Sequence, residues 1–520
     1  MREYNTIFNH ALAPITPGPS SSNTCGPVRI GLICQQLLGE IPAKAVVEYY
    51  SKGAFTTTLY GMKSDVAFIN GLLGKEQNNP EFNAAYTIAK EVGMDVSFAE
   101  VDDLTVGGME TVRIRMTDQS GFEMVVIGES IGGGAFKIHY IDDCPMDIHG
   151  TNYELVVFLK KASQSAAEEL AKKIAPQVES LNDICCVTGK AYSIINIKAG
   201  KEFSKELKVS LTAMSEVARL RSVAPIHPIV TDISRTAPFD SPDSMIAYCE
   251  EHHCSAAQAA IDYEMAVSGW SEEHVREYGN MLLSIMRESR AGGFNSNLKF
   301  DGIVTAKAAS MKDKIGAGAM PSLGVLNAAI PSALGIMEHS NATGKIVCVP
   351  TGGSSGIVPG LLLSAADYMD VSEDALYQSL MTAGIIGVLM MVCNRLFSVL
   401  QTRIDALNAT VQENLVAIRV VKAFVREGYE KTKFKTSNDD LTQATIQVGM
   451  RVIAMIPIMM IAMNCATAAV LYLGGGQVVA GDMLIGDLSS FITYIFQILM
   501  SVMMLGMSFL QLSRSIACAR

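Results

Sequence analysis

Two long apolar segments near the C-terminal end constrain the fold of this chain more than any other feature. Residues 452–473 and 488–510 contain no charged side chain over 22 and 23 positions. An α-helix of this length spans the ~30 Å hydrocarbon core of a bilayer, whereas two buried helices of a soluble core are disfavoured at such lengths. The sequence therefore predicts two full membrane-spanning helices and makes the lipid bilayer an expected partner.

The charges around these segments predict their orientation. The connection between them, residues 474–487, contains no Lys or Arg, whereas residues 395–451 contain nine. Arg514 and Arg520 follow the second segment. Because cytoplasmic flanks carry the excess of basic residues, the pattern predicts a protein of the cytoplasmic membrane with residues 1–451 in the cytoplasm.

The rest of the chain is acidic. Residues 1–394 carry 30 Lys and Arg against 44 Asp and Glu, whereas residues 395–520 carry 11 against 8. Phosphate binding needs clustered basic side chains, so no nucleic acid is expected as a partner. The 11 cysteines are scattered, and the N-terminus has no basic-then-apolar signal segment, which favours free thiols in a reducing compartment.

The apolar patterns predict a multidomain fold that ends in an α-helical membrane segment. Residues 1–150 alternate helix-like and strand-like segments, which indicates an α+β domain. Residues 151–228 follow the order strand–helix–strand–strand–helix, which is typical of a ferredoxin-like α+β domain of the ACT type. Two prolines mark residues 223–230 as a linker, and residues 231–390 indicate an all-α helical domain with small-residue loops.

Two loops rich in hydroxyl groups and glycine are candidate ligand sites. The serines and the threonine of residues 20–24 lie just before a predicted helix, where hydroxyls and unpaired N–H groups can bind a carboxylate or a phosphate. The segment PTGGSSGIVPG, residues 350–360, has glycines that allow a ligand to approach the backbone. Each loop also fits a purely structural interpretation, an N-cap for the first and a tight strand-to-helix turn for the second.

Other motifs give weaker signals. The four Gly-Lys pairs lack the other residues of a P-loop, so they give no ATP-binding motif. Cys249 with His252 or His253 could bind zinc, or these residues could form a solvated helix face. Cys185 and Cys186 point to opposite sides of a predicted strand, which favours a packing role.

Taken together, the segments GPSSSNTCGPVRIG, LYGMKSD, ESIGGGAF and GKIVCVPTGGSSGIVPG resemble the iron–sulfur-dependent L-serine dehydratases, or L-serine ammonia-lyases. The resemblance covers about residues 1–388. It implies a β-type domain over 1–150, an ACT-like domain over 151–228 and a truncated α-type helical domain over 231–388. The implied activity is that of a lyase of gluconeogenesis, which converts L-serine by β-elimination into pyruvate and ammonia with a 4Fe-4S cluster.

The family motifs also imply the site residues and a small amino-acid substrate. The expected catalytic positions are Ser20, Ser21, Ser22, Asn23, Thr24 and Asp65. The expected substrate-binding positions are Thr351, Gly352, Gly353, Ser354, Ser355 and Gly356.

Three substitutions in these motifs predict impaired activity. Asn23 and Met62 each stand where the family has a histidine, and Ser355 stands where the family has a cluster-ligating cysteine. Asparagine cannot act as a base at neutral pH, and serine is a poor substitute for a thiolate on iron. The cysteines beyond residue 390 match no cluster motif, so no metal ligand is assigned and the 4Fe-4S cluster is expected from the family alone.

The tail has a resemblance of its own. The segment RIDALNATVQENLVAIRVVKAFVREGYEKTKF, the two apolar segments and GGGQVVAGDMLIGDLSSFITYIFQILM are similar to the final third of an ABC exporter transmembrane domain. This implies a partial transmembrane domain over residues 389–520, without the ATPase domain that follows it in the family. The uncharged residues 376–394 fit both families and predict a junction near residues 387–394.

Three interpretations of the whole chain stay open. The first is an enzyme, either an L-serine ammonia-lyase or a relative that acts on another small hydroxy- or amino acid. The second is a membrane transport component of ABC exporter type, and the third is a chimera that has no function as a whole. A pyridoxal-phosphate enzyme with Lys345 as the Schiff-base lysine is a more distant alternative. The sequence also leaves a homodimer open.

Overall fold

The computed structural model describes residues 4–104, 106–299, 305–320 and 324–391, together with individual positions between 403 and 450. The chain divides into two compact units. The first contains Met1–Pro238 and Ala257–Gly387, and the second contains Phe239–Ala256 and Val388–Arg520.

The bounds of the elements are as follows. The helices are α1 (Gly26–Leu38), α2 (Phe55–Thr58), α3 (Ser64–Leu72), α4 (Ala85–Glu91), α5 (Gln164–Ile174), α6 (Lys205–Thr212), α7 (Pro242–His252), α8 (Ala256–Ser268), α9 (Glu272–Gly293), α10 (Ala308–Gly316), α11 (Leu326–Asn341) and α12 (Ile357–Met369). The strands are β1 (Ile15–Pro17), β2 (Lys44–Tyr50), β3 (Asp95–Val101), β4 (Thr111–Thr117), β5 (Glu123–Gly132), β6 (Ala135–Ile141), β7 (Cys144–Ile148), β8 (Tyr153–Leu159), β9 (Leu181–Thr188), β10 (Ser193–Ala199), β11 (Val217–Val223) and β12 (Lys345–Val347). The π-helical turns Ile7–Ala11 and Ser21–Cys25 lie on either side of β1.

A six-stranded sheet organises the N-terminal region. Its strand order is β3-β2-β4-β5-β6-β7, with β2 and β3 parallel and the other neighbours antiparallel. Helix α1 packs on this sheet and against α3, and their apolar side chains form one core. The two helices approach closely because a Cβ at Gly71 would lie only 2.2 Å from the carbonyl oxygen of Val28. Helix α1 ends at Gly39, and strands β4 and β5 form an antiparallel hairpin, in line with the helix-like and strand-like patterns of residues 1–150.

A four-stranded antiparallel sheet follows, with the order β11-β8-β10-β9. Helices α5 and α6 cover one face, where Leu155 and Val157 of β8 are buried. The alternate residues Val156 and Phe158 join the core of the six-stranded sheet. This two-faced burial follows from the period of two along a strand. The elements have the predicted order strand–helix–strand–strand–helix and end with the additional strand β11.

The segment predicted as a linker, residues 223–230, is an ordered connection. The N–H groups of Ile226 and His227 donate to the carbonyl oxygen of Gly150 at 2.8 and 3.3 Å. The buried His227 places Nε2 at 3.4 Å from Nη1 of Arg29 in α1. This connection therefore packs against the six-stranded sheet region instead of extending freely.

Helices α8 to α12 lie in the region where a helical domain with small-residue loops is predicted. The fully buried carboxylate of Glu264 in α8 accepts the N–H groups of Ile7 and Phe8 at 2.7 and 3.2 Å. Burial raises the pKa of Glu264 to about 7. These two hydrogen bonds fix the first π-helical turn against α8.

One helix among the described residues, Glu373–Met391, is long and apolar enough to cross a membrane by length and composition. Core helices of soluble proteins meet the same criteria. The predicted spans, residues 452–473 and 488–510, lie outside the described residues.

Candidate functional site

A short antiparallel ladder connects two distant parts of the chain. Strand β1 pairs with β12, so that Ile15 lies opposite Val347. The N–H of Cys348 donates to the carbonyl oxygen of Pro14 at 2.9 Å and extends the pairing. The ladder anchors the two hydroxyl-rich loops in the same place.

The two loops meet at Ser21 and Gly352. The N–H of Gly352 donates to Oγ of Ser21 at 3.2 Å, and this hydrogen bond is buried. A Cβ at Gly352 would lie 3.0 Å from the backbone nitrogen of Ser21, so the missing side chain permits the approach. The structure therefore brings residues 20–24 together with residues 351–356.

The first loop is the π-helical turn that leads into α1. Oγ of Ser20 accepts the N–H of Asn23 at 3.1 Å and caps this turn. Ser20 therefore has the N-cap role that the sequence left open as a structural alternative. The backbone carbonyl oxygen of Ser22 accepts a hydrogen bond from Oγ of Ser130 at 2.8 Å, which ties the loop to β5.

Asn23 connects this loop to three other segments. Its Nδ2 donates to Oε1 of Glu110 at 3.0 Å, and its Oδ1 accepts from Oγ1 of Thr58 at 2.7 Å. Its backbone carbonyl oxygen accepts from Oγ of Ser64 at 2.5 Å. Because the side chain is 8% exposed and uses both of its polar atoms, Asn23 holds the loop in place.

Glu110 is a site residue that the sequence analysis missed. Oγ of Ser22 donates to its Oε1 at 3.1 Å, next to the bond from Asn23. Burial raises the pKa of Glu110, and these hydrogen bonds offset only part of the increase. The neighbouring carboxylate of Glu129 raises the pKa of Glu110 further. Oε2 of Glu129 in turn lies 2.8 Å from Nε2 of His139. This carboxyl group can therefore hold a proton closer to neutral pH than an ordinary glutamate.

Asp65 lies in the first turn of α3, beside the same loop. The hydroxyl of Tyr86 donates to Oδ2 of Asp65 at 2.7 Å. Burial raises the pKa of Tyr86, and the Asp65 carboxylate adds to the increase. Oγ1 of Thr24 donates to the carbonyl oxygen of Met62 at 3.1 Å, which joins this segment to the loop.

The second loop forms hydrogen bonds mainly within itself. Oγ of Ser354 donates to the carbonyl oxygen of Val349 at 2.5 Å and lies 2.9 Å from Oγ1 of Thr351. The fully buried Ser355 donates from Oγ to the carbonyl oxygen of Gly352 at 2.6 Å. These contacts fit the tight strand-to-helix turn that the sequence left open.

The two remaining glycines of this loop shape its backbone. Gly353 lies in the single 3-10 turn that precedes α12. Gly356 contacts α11 so closely that a Cβ would lie 2.4 Å from the carbonyl oxygen of Ala333. The position of the loop is thus fixed by backbone packing.

Comparison with known proteins separates the chain into two parts. The family model of the serine dehydratase beta chain matches residues 10–124, and that of the serine dehydratase alpha chain matches residues 247–396. The probable L-serine dehydratase beta chain of Bacillus subtilis is 33% identical over 155 residues, which cover 68% of that protein and 30% of this chain. The chain belongs to the L-serine dehydratase family. L-serine dehydratase 1 of Escherichia coli is 25% identical over 387 residues, which cover 72% of this chain and 69% of that protein.

The C-terminal part matches a second family. The model of the ABC transporter transmembrane region covers residues 378–502 and overlaps the serine dehydratase alpha-chain match at residues 378–396. An uncharacterized ABC transporter ATP-binding protein of Mycobacterium tuberculosis H37Rv is 37% identical over 124 residues. These residues cover 24% of this chain and 21% of that protein, so the chain spans about a fifth of the length of this relative.

The iron–sulfur cluster typical of the serine dehydratases does not fit the described residues. At the position of the family cysteine, the Ser355 hydroxyl donates to a carbonyl oxygen inside its own turn. Burial raises the pKa of the Cys25 and Cys348 thiols, which disfavours the thiolate form that iron requires. Among the described residues, no group of three or more His, Cys, Asp or Glu side chains is arranged to hold a metal ion.

The other predicted positions form local contacts or are exposed. His252 stacks on Tyr248 with ring centroids 4.0 Å apart, and His253 ends α7 with a left-handed backbone. Cys185 is exposed and its neighbour Cys186 is partly buried, as the alternation of a strand requires. Lys345 is exposed in β12.

Proposed function

We propose that residues 1–388 form an L-serine ammonia-lyase-like region that binds a small hydroxy- or amino acid between the two loops. The hydrogen bond between Gly352 and Ser21 carries this proposal, because it joins the catalytic loop and the substrate-binding loop of the family motifs. The similarity to L-serine dehydratases over most of this region supports it. Within the region we assign residues 151–228 as an ACT-like domain, on the basis of the observed strand order.

The loop chemistry suits a zwitterionic substrate. Hydroxyl and backbone N–H groups of residues 20–24 and 351–356 can donate to a carboxylate. The carboxylate of Glu110, held by Ser22 and Asn23, can accept hydrogen bonds from an ammonium group. In β-elimination, Glu110 is the group we assign to take up the α-proton, because Asn23 has no basic atom where the family has histidine.

We propose that β-elimination is slow in this chain. Departure of the β-hydroxyl needs a Lewis acid or a general acid, and the family uses an iron–sulfur cluster for this step. Ser355 offers a hydroxyl already committed to Gly352 instead of a cluster-binding thiolate. The expected product, if turnover occurs, is aminoacrylate, which gives pyruvate and ammonia in water.

The test measures binding and turnover separately in the full chain purified in detergent. Calorimetry should show binding of L-serine that the variant Ser21→Ala weakens. Pyruvate formation after anaerobic reconstitution with iron and sulfide should be low in the natural sequence. Absence of L-serine binding would overturn the proposal, whereas rapid turnover by the natural sequence would overturn only the impairment.

A second candidate function rests on the match to the ABC transporter transmembrane region at residues 378–502. We propose that residues 452–473 and 488–510 cross the cytoplasmic membrane and that residues 1–451 lie in the cytoplasm, with the bilayer as a partner. In intact cells, an impermeant maleimide should label Gly481→Cys in the connection between the spans and should not label Lys435→Cys. Equal labelling of both variants would contradict this orientation.

The two family matches overlap at residues 378–396, and this overlap also supports a chimeric chain joined from two genes. Two genes joined within an apolar helix would produce this overlap, because uncharged helices are common to both families. Long single-molecule reads of the genomic DNA across codons 380–400 test the junction. A continuous reading frame in independent reads would establish a natural fusion, and its absence would establish a misassembled one.

A further inference from the structure

An open cleft of about 320 Å³ lies where the four-stranded sheet, the connection after β11 and the α8–α9 turn meet. Its lining includes Tyr153, Lys201, Glu202, Arg235, Gly269 and Trp270. All of these residues belong to the first compact unit. None of them belongs to the candidate site around Ser21 and Gly352.

Arg235 is held in place at the wall of this cleft. Its Nη1 donates to the carbonyl oxygens of Val267, at 3.5 Å, and Ser268, at the C-terminal end of α8. Gly269 makes room for the guanidinium, because a Cβ there would lie 2.3 Å from Cζ of Arg235. The side chain is one-third exposed, and its Nε lies 3.6 Å from Oδ2 of Asp232. The guanidinium thus already has one carboxylate partner, and a ligand would bind through its remaining N–H groups. The guanidinium is therefore pre-organised, and an anion that binds it does not have to immobilise it first.

A second part of the lining comes from the end of the four-stranded sheet. Lys201 follows β10 and pairs on the surface with Glu179, and its side chain is 58% exposed. Glu202 pairs with Lys208 at 3.2 Å. Exposed ion pairs are worth little, so both side chains can turn toward a ligand at small cost.

Aromatic rings supply an apolar surface. Trp270 packs with its ring centroid 6.1 Å from that of Phe8 and 5.4 Å from that of Tyr278. Tyr153 lies at the start of β8 on the sheet side of the cleft. A cleft with aromatic rings and a few convergent polar groups, in a volume of roughly 300 Å³ or more, is typical of small-molecule sites.

We propose that this cleft binds a small molecule that carries a carboxylate on a compact apolar or planar body. Arg235 and Lys201 bind the carboxylate, and Trp270 and Tyr153 contact the body. Glu202 offers a partner for an ammonium group, so a simple carboxylate and an α-amino acid share the chemistry that the cleft recognises.

The ring contacts connect this cleft to the candidate site. Trp270 contacts Phe8, and the N–H groups of Ile7 and Phe8 bind the Glu264 carboxylate. The chain then continues directly through β1 into the Ser20 loop. A ligand that fixes Trp270 therefore restricts the segment from which the first loop of the candidate site extends.

The test uses Trp270 as the reporter, because the chain contains one tryptophan. The full chain in detergent is titrated with propionate, pyruvate and L-serine, with sodium chloride as the control for ionic strength. We expect a saturable change of tryptophan fluorescence with the carboxylates and a weak, non-saturating change with chloride. Arg235→Gln and Lys201→Gln should each weaken binding about tenfold or more, because each removes a charge-assisted contact.

Matched variants separate the cleft from other sites. Lys173→Gln removes a lysine of similar exposure in α5, which pairs with Glu169, and should leave the affinity unchanged. Ser21→Ala reports on the other site, to which Ser21 belongs, and identifies any part of the response that arises there. If Arg235→Gln fails to fold, the comparison of Lys201→Gln with the control Lys173→Gln still tests whether the cleft binds the carboxylate.

The outcomes are distinct. If the fluorescence change saturates with propionate and pyruvate, the ligands of the cleft are simple carboxylates. If it saturates with L-serine alone, the ligands are α-amino acids whose ammonium group is bound by Glu202. Absence of saturation with every carboxylate, or equal affinity in Lys201→Gln and Lys173→Gln, would overturn the proposal. Loss of the response in Ser21→Ala with full retention in Lys201→Gln would move the ligand to the candidate site and overturn it as well.

Discussion

The two loops of the candidate site carry substitutions of similar chemical consequence but are built differently. In the first loop, Asn23 forms hydrogen bonds to Thr58, Ser64 and Glu110, which belong to three other segments. In the second loop, the Ser355 hydroxyl donates to a carbonyl oxygen three residues away. Asn23 is thus part of a network across the region, whereas Ser355 bonds mainly within its own turn and outside it contacts the Met337 sulfur at 3.6 Å.

The family motifs imply a histidine at the position of Asn23 and a cysteine at that of Ser355, and the difference shows how the residues present satisfy their own hydrogen bonds. An asparagine in place of a histidine keeps a hydrogen-bond donor beside Glu110, so the surrounding contacts persist. A serine in place of a cysteine fits the same buried volume and satisfies its hydroxyl locally.

The largest expected effect is that of Asn23→Leu. The leucine removes the side-chain hydrogen bonds to Ser22, Thr58 and Glu110 and leaves the partly buried Glu110 carboxyl with fewer donors, which should lower the free energy of unfolding by about 3 kcal/mol. Urea unfolding of the full chain in detergent, followed by Trp270 fluorescence, measures it. The exposed Asn83, changed to leucine, is the control and should cost less than about 0.5 kcal/mol. Equal costs at both positions would show that the network does not stabilise the first loop.

Ser355→Ala should have a smaller effect. It removes one hydrogen bond inside a turn, at a cost of about 1 kcal/mol in the same unfolding experiment. Ser355→Cys preserves the volume and should cost no more than the alanine variant. A loss for Ser355→Ala as large as that for Asn23→Leu would contradict the distinction between the two loops.

The pH dependence of stability should sharpen the comparison further. The folded-state pKa of Glu110 is raised above its usual 4.5, so its contribution to stability is fully present below about pH 4.5 and is lost as pH rises through the higher value. Glu110→Gln should therefore flatten the fall in stability above pH 4.5. The control Glu81→Gln removes a carboxyl group whose pKa is lowered by a hydrogen bond from Lys75. It should change the pH dependence of stability only below about pH 4.5. An unchanged profile in Glu110→Gln would show that the carboxyl is not perturbed.

The smallest effect is expected for Lys345→Ala. This lysine is exposed, so its loss should change the free energy of unfolding by less than about 0.5 kcal/mol and should not alter L-serine binding. Borohydride reduction after incubation with pyridoxal phosphate, followed by mass spectrometry, checks the remaining alternative. An adduct on Lys345 together with pyruvate formation that disappears in the variant would favour the pyridoxal-phosphate mechanism.

Local elements of the fold could be predicted because their signals are local. The helix α1 has apolar residues at helical spacing and a glycine with left-handed backbone after its end. The hairpin of β4 and β5 has alternating residues on both sides of a turn. The loops at residues 20–24 and 351–356 were found from their composition and from the family motifs.

The partners of these loops could not be predicted because they depend on distant pairing. Glu110 lies at a turn with no motif of its own, and its place beside Ser22 follows from the ladder of β4 with β5. The hydrogen bond between Ser21 and Gly352 joins residues 331 positions apart, which no local pattern contains. Likewise, Arg235 and Trp270 line one cleft only because the four-stranded sheet and the helices pack together, which no local sequence pattern contains.

The pairing of β1 with β12 also matters during synthesis of the chain. Ile15 and Val347 are 332 positions apart, from 347 − 15. At about 5–20 residues per second of synthesis, β1 waits roughly 17–66 s on the ribosome before its partner exists. Pro14, Pro17 and Pro19 lack the N–H groups that a foreign strand would need, which protects the nascent edge from wrong pairing during that wait. The prolines in and beside β1 thus lower the chance of wrong pairing while the chain is still being synthesised.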